Sequence, residues 1–473
     1  EVTYAGQAFR LGRYPIHFHL NGDMSGSYVK GCAIHETFNR AINIHGTHNV
    51  QIEDNVVHNV MGGALFLEDG IETGNVFDHN LVVFCKQSTS LLNDDITPAA
   101  FWCTNANNTY TRNTAVGGTH FGFWYRMHDH PDGPSFDSSI CPKKSPLGLF
   151  DNNIVHSQGW FGLWIFMEWY PMKGGGCGSN EAEPAVFKRL TVWNCEKGAE
   201  AVSVGAVQFD GAIMVNNDKA GIEYKMIKNV PKYHPNGALV NNSVIIGDAT
   251  SSNWISCTGS GVILPWDAGF VIANTKFVNF NSGSCTSFGV TRIDGTCTFE
   301  CGGWDYIVYG LEFFESPNKI KFTWPHEAMI KDLDGSLTGT VGATVSPSNP
   351  SLPPSCAGSS SFSIGSTPGS VCTDPNLKFL RFSWNKAVPK SLEAKDVFFT
   401  NQYGTTGVHF LKKRLTHPMG WMVSLVSGER YNMLFEHAGH ITNITYNGKF
   451  YGLTNDEYVI IEHNFTQTPD RFS

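Results

Sequence analysis

The sequence lacks an excess of basic residues: 33 Lys and Arg stand against 42 Asp and Glu, which gives a net charge of −9. Because nucleic-acid binding needs a basic face or stripe, this balance argues against a nucleic-acid partner. No apolar run of membrane-spanning length is present, so we expect no membrane contact by this segment. Helical periodicity is also scarce, whereas 49 glycines and 13% aromatic residues favour an all-β protein with many turns.

What is abundant is a repeated pair of strand-like runs. The run Cys32-Ala33-Ile34-His35 is followed, nine residues after its first residue, by a second run that starts at Ala41. The same step leads to second runs at Ala64, Gly122, Gly162, Ala199 and Gly221. Strand, turn and strand at a recurring spacing predict a parallel β-helix, in which equivalent residues of successive coils stack about 4.8 Å apart.

The pattern divides the chain into three predicted parts. They are parallel β-helix repeats in residues 1–340, a Ser/Pro/Gly-rich linker in 341–375, and a β-rich C-terminal module or cap in 376–473. Three polar or glycine-rich stretches interrupt the repeats and are predicted to be long inserted loops: 86–98, 127–146 and 169–184. Since the first residues already lie in strand-like sequence, we expect the chain to be a piece of a larger protein.

Twelve cysteines and four Asn-X-Ser/Thr sequons together favour an extracellular glycoprotein. The predicted glycosylation sites are Asn107, Asn241, Asn443 and Asn464. We predict a local disulfide between Cys356 and Cys372, and further pairing within Cys285, Cys297 and Cys301. Connectivity beyond these local pairs is not fixed by a sequence.

Alternation within the second strand of each coil predicts which side chains face inward. Two columns are mostly apolar and are therefore predicted to be interior: Ile16, Ile42, Leu65, Phe101, Phe123 and Leu163 in one, and Phe18, Ile44, Leu67, Cys103, Tyr125 and Ile165 in the other. The columns that alternate with them must face outward: His17, Asn43, Phe66, Trp102, Trp124 and Trp164, and then His19, His45, Glu68, Thr104, Arg126 and Phe166.

The outward columns combine aromatic rings with titratable groups. The rings predicted to form a ligand-binding platform are Phe66, Trp102, Trp124 and Trp164, and the polar strip beside them contains His17, His19, His45, Glu68, Asp69 and Arg126. This combination suits a groove for an extended polysaccharide, because rings contact sugar C–H faces and arginine pairs with uronate carboxylates. In that interpretation Glu68, His45 and Arg126 are candidate catalytic residues, since a Glu or His can move protons.

Other interpretations of these columns stay open. His17, His19 and His45 could bind a divalent metal ion together with Glu68 or Asp69. The aromatic column could instead be covered by the long loops as a second small core, and the polar strip could be a hydrogen-bonding ladder. A further column, at the turn, is predicted to be a structural asparagine ladder: Asn55, Asn80, Asn113 and Asn153.

Several segments resemble the β-helix region shared by the fibrocystin-L family and the cell-surface hyaluronidase family. They are Arg13-Tyr14-Pro15-Ile16-His17-Phe18-His19-Leu20, Phe66-Leu67-Glu68-Asp69-Gly70, Asn75-Val76-Phe77-Asp78-His79 and Thr119-His120-Phe121-Gly122-Phe123-Trp124-Tyr125. Other segments resemble the fibrocystin-L family in particular: 87–101, 155–161, 334–339, 413–417 and 463–466. The resemblance covers nearly the whole chain.

This resemblance implies a right-handed parallel β-helix in the ectodomain of a large, single-pass, cell-surface glycoprotein, with the remainder of that ectodomain as a partner. It also implies relatives that bind and depolymerise hyaluronan and that carry an upstream glycine-rich domain, which this chain lacks. Three functional hypotheses follow: a structural or adhesive scaffold, a glycan-binding groove without turnover, and a polysaccharide depolymerase that uses the outward His/Glu/Arg strip. The sequence leaves open whether the chain is an enzyme.

Overall fold

The computed structural model describes residues 12–88, 93–228, 230–249, 257–283, 285–290, 304–359, 362–411, 419–438 and 443–463. Strands dominate this part of the chain, and its helical elements are short 3₁₀ helices: Asn93–Asp95, Gly133–Ser135, Pro142–Lys144 and Lys390–Leu392. No helix among these residues is long and apolar enough to cross a membrane. The chain divides into two compact units, residues 1–289 with 310–318 and residues 290–309 with 319–473.

The first unit is a parallel β-helix whose coils contribute strands to three sheets. Sheet 1 contains, in spatial order, β1 (Ile16–Asp23), β4 (Ile42–His48), β7 (Leu65–Leu67), β10 (Ala99–Cys103), β13 (Phe121–Tyr125), β16 (Phe161–Trp169), β19 (Lys197–Val204), β22 (Ala220–Ile227), β25 (Ser260–Leu264) and β28 (Thr286–Val290). Sheet 2 contains β2 (Tyr28–Lys30), β5 (Gln51–Glu53), β8 (Val76–Asp78), β11 (Thr109–Thr111), β14 (Leu149–Asp151), β17 (Ala185–Lys188), β20 (Val207–Asp210), β23 (Leu239–Asn241) and β26 (Phe270–Ala273). Sheet 3 contains β3 (Ala33–Thr37), β6 (Val56–Met61), β9 (Leu81–Lys86), β12 (Thr114–Gly118), β15 (Ile154–Gln158), β18 (Thr191–Trp193), β21 (Ile213–Val215), β24 (Val244–Ile246), β27 (Lys276–Val278) and β30 (Glu312–Phe314). The all-β, parallel β-helix class predicted from the sequence is confirmed.

The register of sheet 1 agrees with the nine-residue step. Ile42 pairs with Leu65, Leu65 pairs with Phe101, and Phe101 pairs with Phe123. All four side chains are fully buried, and the rings of Phe101 and Phe123 stack with centroids 4.5 Å apart. Since burying one such side chain contributes about 1.5–3 kcal/mol, these inward columns stabilise every coil they pass through.

An asparagine ladder fixes the turn that precedes sheet 3. The side-chain amide of Asn55 donates to Oδ1 of Asn80 at 2.9 Å, and Asn80 donates to Asn113 at 3.0 Å. Asn113 continues the ladder to Asn153 at 3.1 Å, and each of these four side chains is buried. The ladder satisfies polar groups that the turn would otherwise bury without partners, so it holds successive coils in register.

The second unit begins with parallel pairing and then changes to mainly antiparallel sheets, with a further parallel pair at Arg430 and Ile460. One sheet contains, in spatial order, β29 (Asp305–Tyr309), β32 (Met329–Asp332), β33 (Thr344–Pro347), β35 (Gly369–Cys372) and β34 (Cys356–Ser359). Two further sheets contain β39 (Trp421–Val426), β36 (Phe379–Val388) and β41 (Thr445–Tyr451), and then β38 (Thr405–Val408), β37 (Val397–Thr400), β40 (Arg430–Phe435) and β42 (Ile460–His463). The short strand β31 (Ile320–Lys321) lies between β29 and β32 in the chain. One apolar core joins the last two sheets through Trp384, Phe399 and Trp421.

The Ser/Pro/Gly-rich stretch 341–375 forms strands where the sequence predicted a linker. Pairing is parallel between β29 and β32, and becomes antiparallel between β32 and β33 at Ile330 and Val345. Val345 and Cys372 are fully buried, and Cys356 and Cys372 face each other in the ladder. Small residues suit closely packed strands as well as flexible linkers. Composition alone therefore does not distinguish between the two. The domain boundaries remain a prediction.

Candidate functional site

The outward side of β1 and β4 carries a polar cluster that we call the histidine–carboxylate site. Its members are His17, His19, His45, Glu68 and Asp69. Parallel pairing of β1 with β4 places His19 directly beside His45, while the intervening isoleucines of β4 point into the coil. The two carboxylates follow the end of β7, which pairs with β4. The strip expected from the sequence therefore exists at this end of sheet 1.

His45 lies at the centre of the histidine–carboxylate site. Its Nε2 is 2.7 Å from Oδ2 of Asp69, and its Nδ1 is 3.0 Å from Nδ1 of His19 and 3.6 Å from Oε2 of Glu68. Burial alone would lower the pKa of His45, but the hydrogen bond to Asp69 and the charge of Glu68 outweigh burial and raise it. Burial would likewise raise the pKa of Asp69, yet hydrogen bonds from His45 and Ser135 lower it.

One ring nitrogen of His17 is hydrogen-bonded, and the other has no hydrogen-bond partner among the described residues. Nδ1 is 3.0 Å from the carbonyl oxygen of Gly12, and because a carbonyl can only accept, Nδ1 carries the proton. Nε2 is buried and has no hydrogen-bond partner among the described residues. Burial lowers the pKa of His17, so the ring is held neutral with a lone pair on Nε2.

Three charged residues that sequence reasoning missed support this site. Arg40 is buried, with Nε 3.1 Å from Oδ1 of Asp95 and Nη1 3.5 Å from Oε1 of Glu68. Glu72 is buried and accepts the backbone N–H groups of Gly46, Asp69 and Gly70, which shapes the turn that carries Asp69. Burial raises the pKa of Glu72. Arg40 and Asp95 lie outside the predicted columns, so the register of the coils did not identify them as site residues. Glu72 lies two residues after the motif that ends at Gly70, and this proximity could have identified it.

The aromatic rings next to this site form a second small core, which we call the outer aromatic cluster. Its members are Phe66, Ala99, Trp102, Phe121, Trp124 and Phe161, with Trp164 and Phe166 half-buried at its edge. Trp102 is 0% exposed, and its ring lies 4.9 Å from Phe66 and 4.2 Å from Trp124 between centroids. The exposed platform expected from the sequence is therefore absent at Phe66, Trp102 and Trp124. The reason is that Arg40 covers Phe66 at 3.5 Å, while Ala99 and neighbouring rings cover the tryptophans.

Arg126 belongs to a different cluster from the histidines. Its Nη1 lies 3.2 Å from Nε2 of His128 and 3.9 Å from Oδ1 of Asp94, and its side chain is 34% exposed. In the described part of the chain no contact joins Arg126 to Glu68, and the buried Thr104 lies between them in the column. The continuous polar strip expected from the sequence is thus divided into two separate groups.

The disulfides differ in part from the sequence prediction. Cys356 is bonded to Cys372, but Cys285 is bonded to Cys257 rather than to Cys297 or Cys301, which lie outside the described residues. The correction arises because sheet pairing brings the chain before β25 next to the chain before β28, although the two cysteines are distant in sequence. A third bond, which the sequence did not suggest, joins Cys141 in the inserted loop 127–146 to Cys177 in the inserted loop 169–184. The free thiols among the described residues are Cys32, which is exposed, and the buried Cys85, Cys103 and Cys195.

The predicted glycosylation sites differ in accessibility. Asn107 and Asn443 are exposed. Asn241 is half-buried and donates from Nδ2 to Oδ1 of Asp210 at 3.1 Å. Asn464 lies outside the described residues. Glycosylation at these positions stays a prediction, and the exposed pair offers the easier access to a modifying enzyme.

Comparison with known proteins first shows similarity to a family of β-helix domains. The profile of the CEMIP beta-helix family matches residues 1–163. Human cell surface hyaluronidase CEMIP2 is 34% identical over 35% of this chain and 14% of its own length. The histidine–carboxylate site and all six members of the outer aromatic cluster fall within the matched residues.

The similarity to a particular protein is more extensive. The chain is 53% identical to mouse fibrocystin-L and 51% identical to human fibrocystin-L, in each case over 100% of this chain. The resemblance to fibrocystin-L expected from the sequence motifs is thus confirmed. The chain spans 11% of the length of either relative, so it corresponds to a small part of them.

Proposed function

We propose that this chain is a segment of the ectodomain of a cell-surface glycoprotein, in which the β-helix is a structural or adhesive scaffold that also binds an acidic glycan. Similarity to fibrocystin-L over the whole chain supports the ectodomain assignment. Glycan binding is supported by the names of more distant relatives, among them the mouse cell migration-inducing and hyaluronan-binding protein. The continuous parallel sheets and the outer aromatic cluster support the scaffold role, because Phe66, Trp102 and Trp124 are buried and offer no free ring to a ligand.

One observation carries the glycan proposal: a partly exposed arginine follows a strand that pairs with the strand carrying two partly exposed rings. Tyr125, the last residue of β13, pairs with Ile165 of β16, so Arg126 and Phe166 each directly follow a paired residue. Phe166 stacks on Trp164 with centroids 4.5 Å apart and planes 4° apart, and both rings are half-buried. We call Arg126, Trp164 and Phe166 the Arg126 patch.

The Arg126 patch matches the chemistry of an acidic sugar. A guanidinium forms bidentate, charge-assisted hydrogen bonds with a carboxylate, and aromatic faces accept the C–H groups of a pyranose ring. Arg126 now faces Asp94 at 3.9 Å, a distance that leaves its donors available to a closer carboxylate. A uronate would therefore replace Asp94 as the partner of Arg126.

Binding of hyaluronan oligosaccharides, measured by calorimetry, tests the Arg126 patch. We expect Arg126→Ala to weaken binding by about 10- to 150-fold, which corresponds to the 1.5–3 kcal/mol of a charge-assisted hydrogen bond. Trp164→Ala should weaken binding as well. Arg112→Ala is the matched control, because Arg112 is an exposed arginine directly after β11 of sheet 2 and pairs with Asp78. Equal affinity in Arg126→Ala and wild type would remove the glycan role and leave the scaffold.

A polysaccharide depolymerase is the second candidate function. The specific observation in its favour is the Asp69–His45 contact of 2.7 Å with Glu68 beside it, since a carboxylate-oriented histidine next to a second carboxylate suits proton transfer. Incubation with hyaluronan followed by chromatography of the products tests this candidate. We expect Glu68→Gln to abolish product release while leaving binding intact. Intact polymer after incubation with the wild-type chain would eliminate the depolymerase. Because Arg126 contacts none of the described residues His45, Glu68 and Asp69, its role in such a depolymerase would be to bind the polysaccharide.

A further inference from the structure

We propose that His17, His19, His45 and Glu68 bind a divalent transition-metal cation of the zinc class. Ring nitrogens of the three histidines all lie within 4.8 Å of one another. Tetrahedral ligands at about 2.0–2.1 Å from Zn²⁺ stand about 3.3 Å apart. Nδ1 of His45 lies 3.0 Å from Nδ1 of His19 and 3.6 Å from Oε2 of Glu68, and both distances are close to that spacing.

The hydrogen bonds of the outer ring nitrogens orient the inner ones toward a common centre. His17 donates from Nδ1 to the carbonyl of Gly12, which leaves the lone pair of Nε2 free. His45 contacts Asp69 through Nε2, which leaves Nδ1 facing His19 and Glu68. Metal-binding histidines commonly use the second nitrogen in this way, with a carbonyl or carboxylate that fixes the ring orientation and tautomer. Both of these partner types are present here.

A buried nitrogen without a partner favours a ligand over a hydrogen-bonding ladder. Nε2 of His17 is buried and unpaired among the described residues, which costs free energy unless something binds it. His326 in the second unit shows what a structural buried histidine looks like. Its Nε2 is 3.2 Å from Oγ1 of Thr406, and the backbone N–H of Ser424 lies 3.4 Å from its Nδ1, so both nitrogens have partners.

The ligand set also indicates the class of metal. Three imidazoles and one carboxylate suit Zn²⁺ and neighbouring first-row cations, whereas Ca²⁺ and Mg²⁺ prefer oxygen ligands. Asn43 and Arg40 both contact Glu68 and hold its carboxylate in place. His19 is exposed, so the cation can enter from solvent. The other geometric group of this kind in the described residues, His130 with Cys141 and Cys177, has its sulfurs in a disulfide and offers no thiolate.

Metal content and affinity test the proposal without reference to any glycan, so the result is independent of the proposed function. The chain carrying Cys32→Ser, which removes the exposed free thiol, is stripped with a chelator and titrated with Zn²⁺ by calorimetry. We expect one equivalent to bind. His17→Ala and His45→Ala should each lose more than about tenfold in affinity, and Asp69→Asn about 10- to 100-fold, because Asp69 orients the ring of His45. His58→Ala, in an exposed histidine of sheet 3, is the matched control and should bind as the parent does.

A spectroscopic measurement keeps the proposal testable if a variant does not fold. Co²⁺ loaded into the unsubstituted site should give the intense visible bands of four-coordinate cobalt, and Zn²⁺ should displace it. Zn²⁺ should also raise the unfolding temperature of the parent chain but not that of His17→Ala. Either of two results overturns the proposal: no stoichiometric Zn²⁺ in the parent chain, or equal Zn²⁺ affinity in the parent and in the His17→Ala/His45→Ala double variant.

Discussion

The outer aromatic cluster and the histidine–carboxylate site occupy neighbouring parts of the same outward face, yet one is dry and the other polar. Both arise from the same alternation in sheet 1, which turns Trp102 and His19 away from the coil. Trp102 is 0% exposed because other rings and Ala99 cover it, while His19 is exposed. The difference shows that alternation sets the direction of a side chain, and that the packing of neighbouring side chains decides whether the side chain meets water.

The largest expected effect on stability comes from a substitution in the buried outer aromatic cluster. Trp102→Ala should lower the free energy of unfolding by about 3–5 kcal/mol, because it leaves a cavity in a packed cluster. Trp160→Ala is the matched control, since Trp160 is 41% exposed and should cost much less. Urea denaturation measures both. A loss below about 1 kcal/mol for Trp102→Ala would mean that the cluster is an open platform after all.

The coil itself was predictable because its constraints repeat. The nine-residue step identified the equivalent positions of Leu65 and Phe123, and skipping the inserted loop 86–98 identified Phe101. The turn column identified the Asn55–Asn80 hydrogen bond. Each prediction rested on a regular sheet, where spacing along the chain converts directly into position. The side-chain directions inferred for one coil therefore apply to the equivalent positions of the next coil.

What covers the coil was not predictable, because the inserted segments follow no register. Asp95 lies in a 3₁₀ helix within an inserted loop and reaches Arg40 across 55 residues of sequence. Cys141 and Cys177 join two other loops. The sequence left the platform and the second small core as open alternatives for a different reason: the register sets the direction of Trp102 but not how closely Ala99 and the neighbouring rings pack over it. At the candidate site, the sequence identified the histidines and carboxylates but not the charges that hold them.

His326 provides a reference for a buried histidine without an inferred ligand. Burial, together with the charges of Arg381 and His409, lowers the pKa of His326 to about 4 from its ordinary value of 6.5, although a hydrogen bond with the backbone of Gly407 opposes this. The unfolded chain therefore binds more protons than the folded chain between these values. Stability is complete above pH 6.5 and falls as the pH drops toward 4, by about 3 kcal/mol in total.

Hydrogen exchange of the strand Trp421–Val426 at several pH values measures this loss in the second unit. His326→Gln should reduce the acid sensitivity in that window. His437→Gln is the control, because the side chain of His437 is 78% exposed, and it should keep the sensitivity of the wild type. An unchanged pH profile in His326→Gln would place the acid-sensitive group elsewhere.

The boundary between the dry and polar regions depends on the buried ion pair of Arg40 with Asp95. Asp95→Asn keeps the shape but removes the charge that faces Arg40 at 3.1 Å, and we expect a loss of about 1.5–3 kcal/mol. Asp78→Asn is the matched control, because Asp78 pairs with the exposed Arg112 and surface pairs contribute about 0–1 kcal/mol. Equal losses in the two variants would show that burial does not strengthen the Arg40 pair.

The smallest expected effect on stability comes from a substitution in the inserted loop that contacts the histidine–carboxylate site. Ser135, at the end of a 3₁₀ helix in an inserted loop, hydrogen-bonds to Asp69 through its side chain and its backbone. Ser135→Ala removes only the side-chain bond, so we expect a loss of about 0.5–1.5 kcal/mol in the free energy of unfolding. Ser139→Ala is the control, since Ser139 bonds to Asp137 in an exposed turn and should change stability by a few tenths of a kcal/mol. A loss as large as that of Trp102→Ala would mean that the loop seals the histidine–carboxylate site as tightly as the rings seal the aromatic cluster. No difference from the control would mean that the loop does not hold Asp69, and that the polar region is open on that side as well.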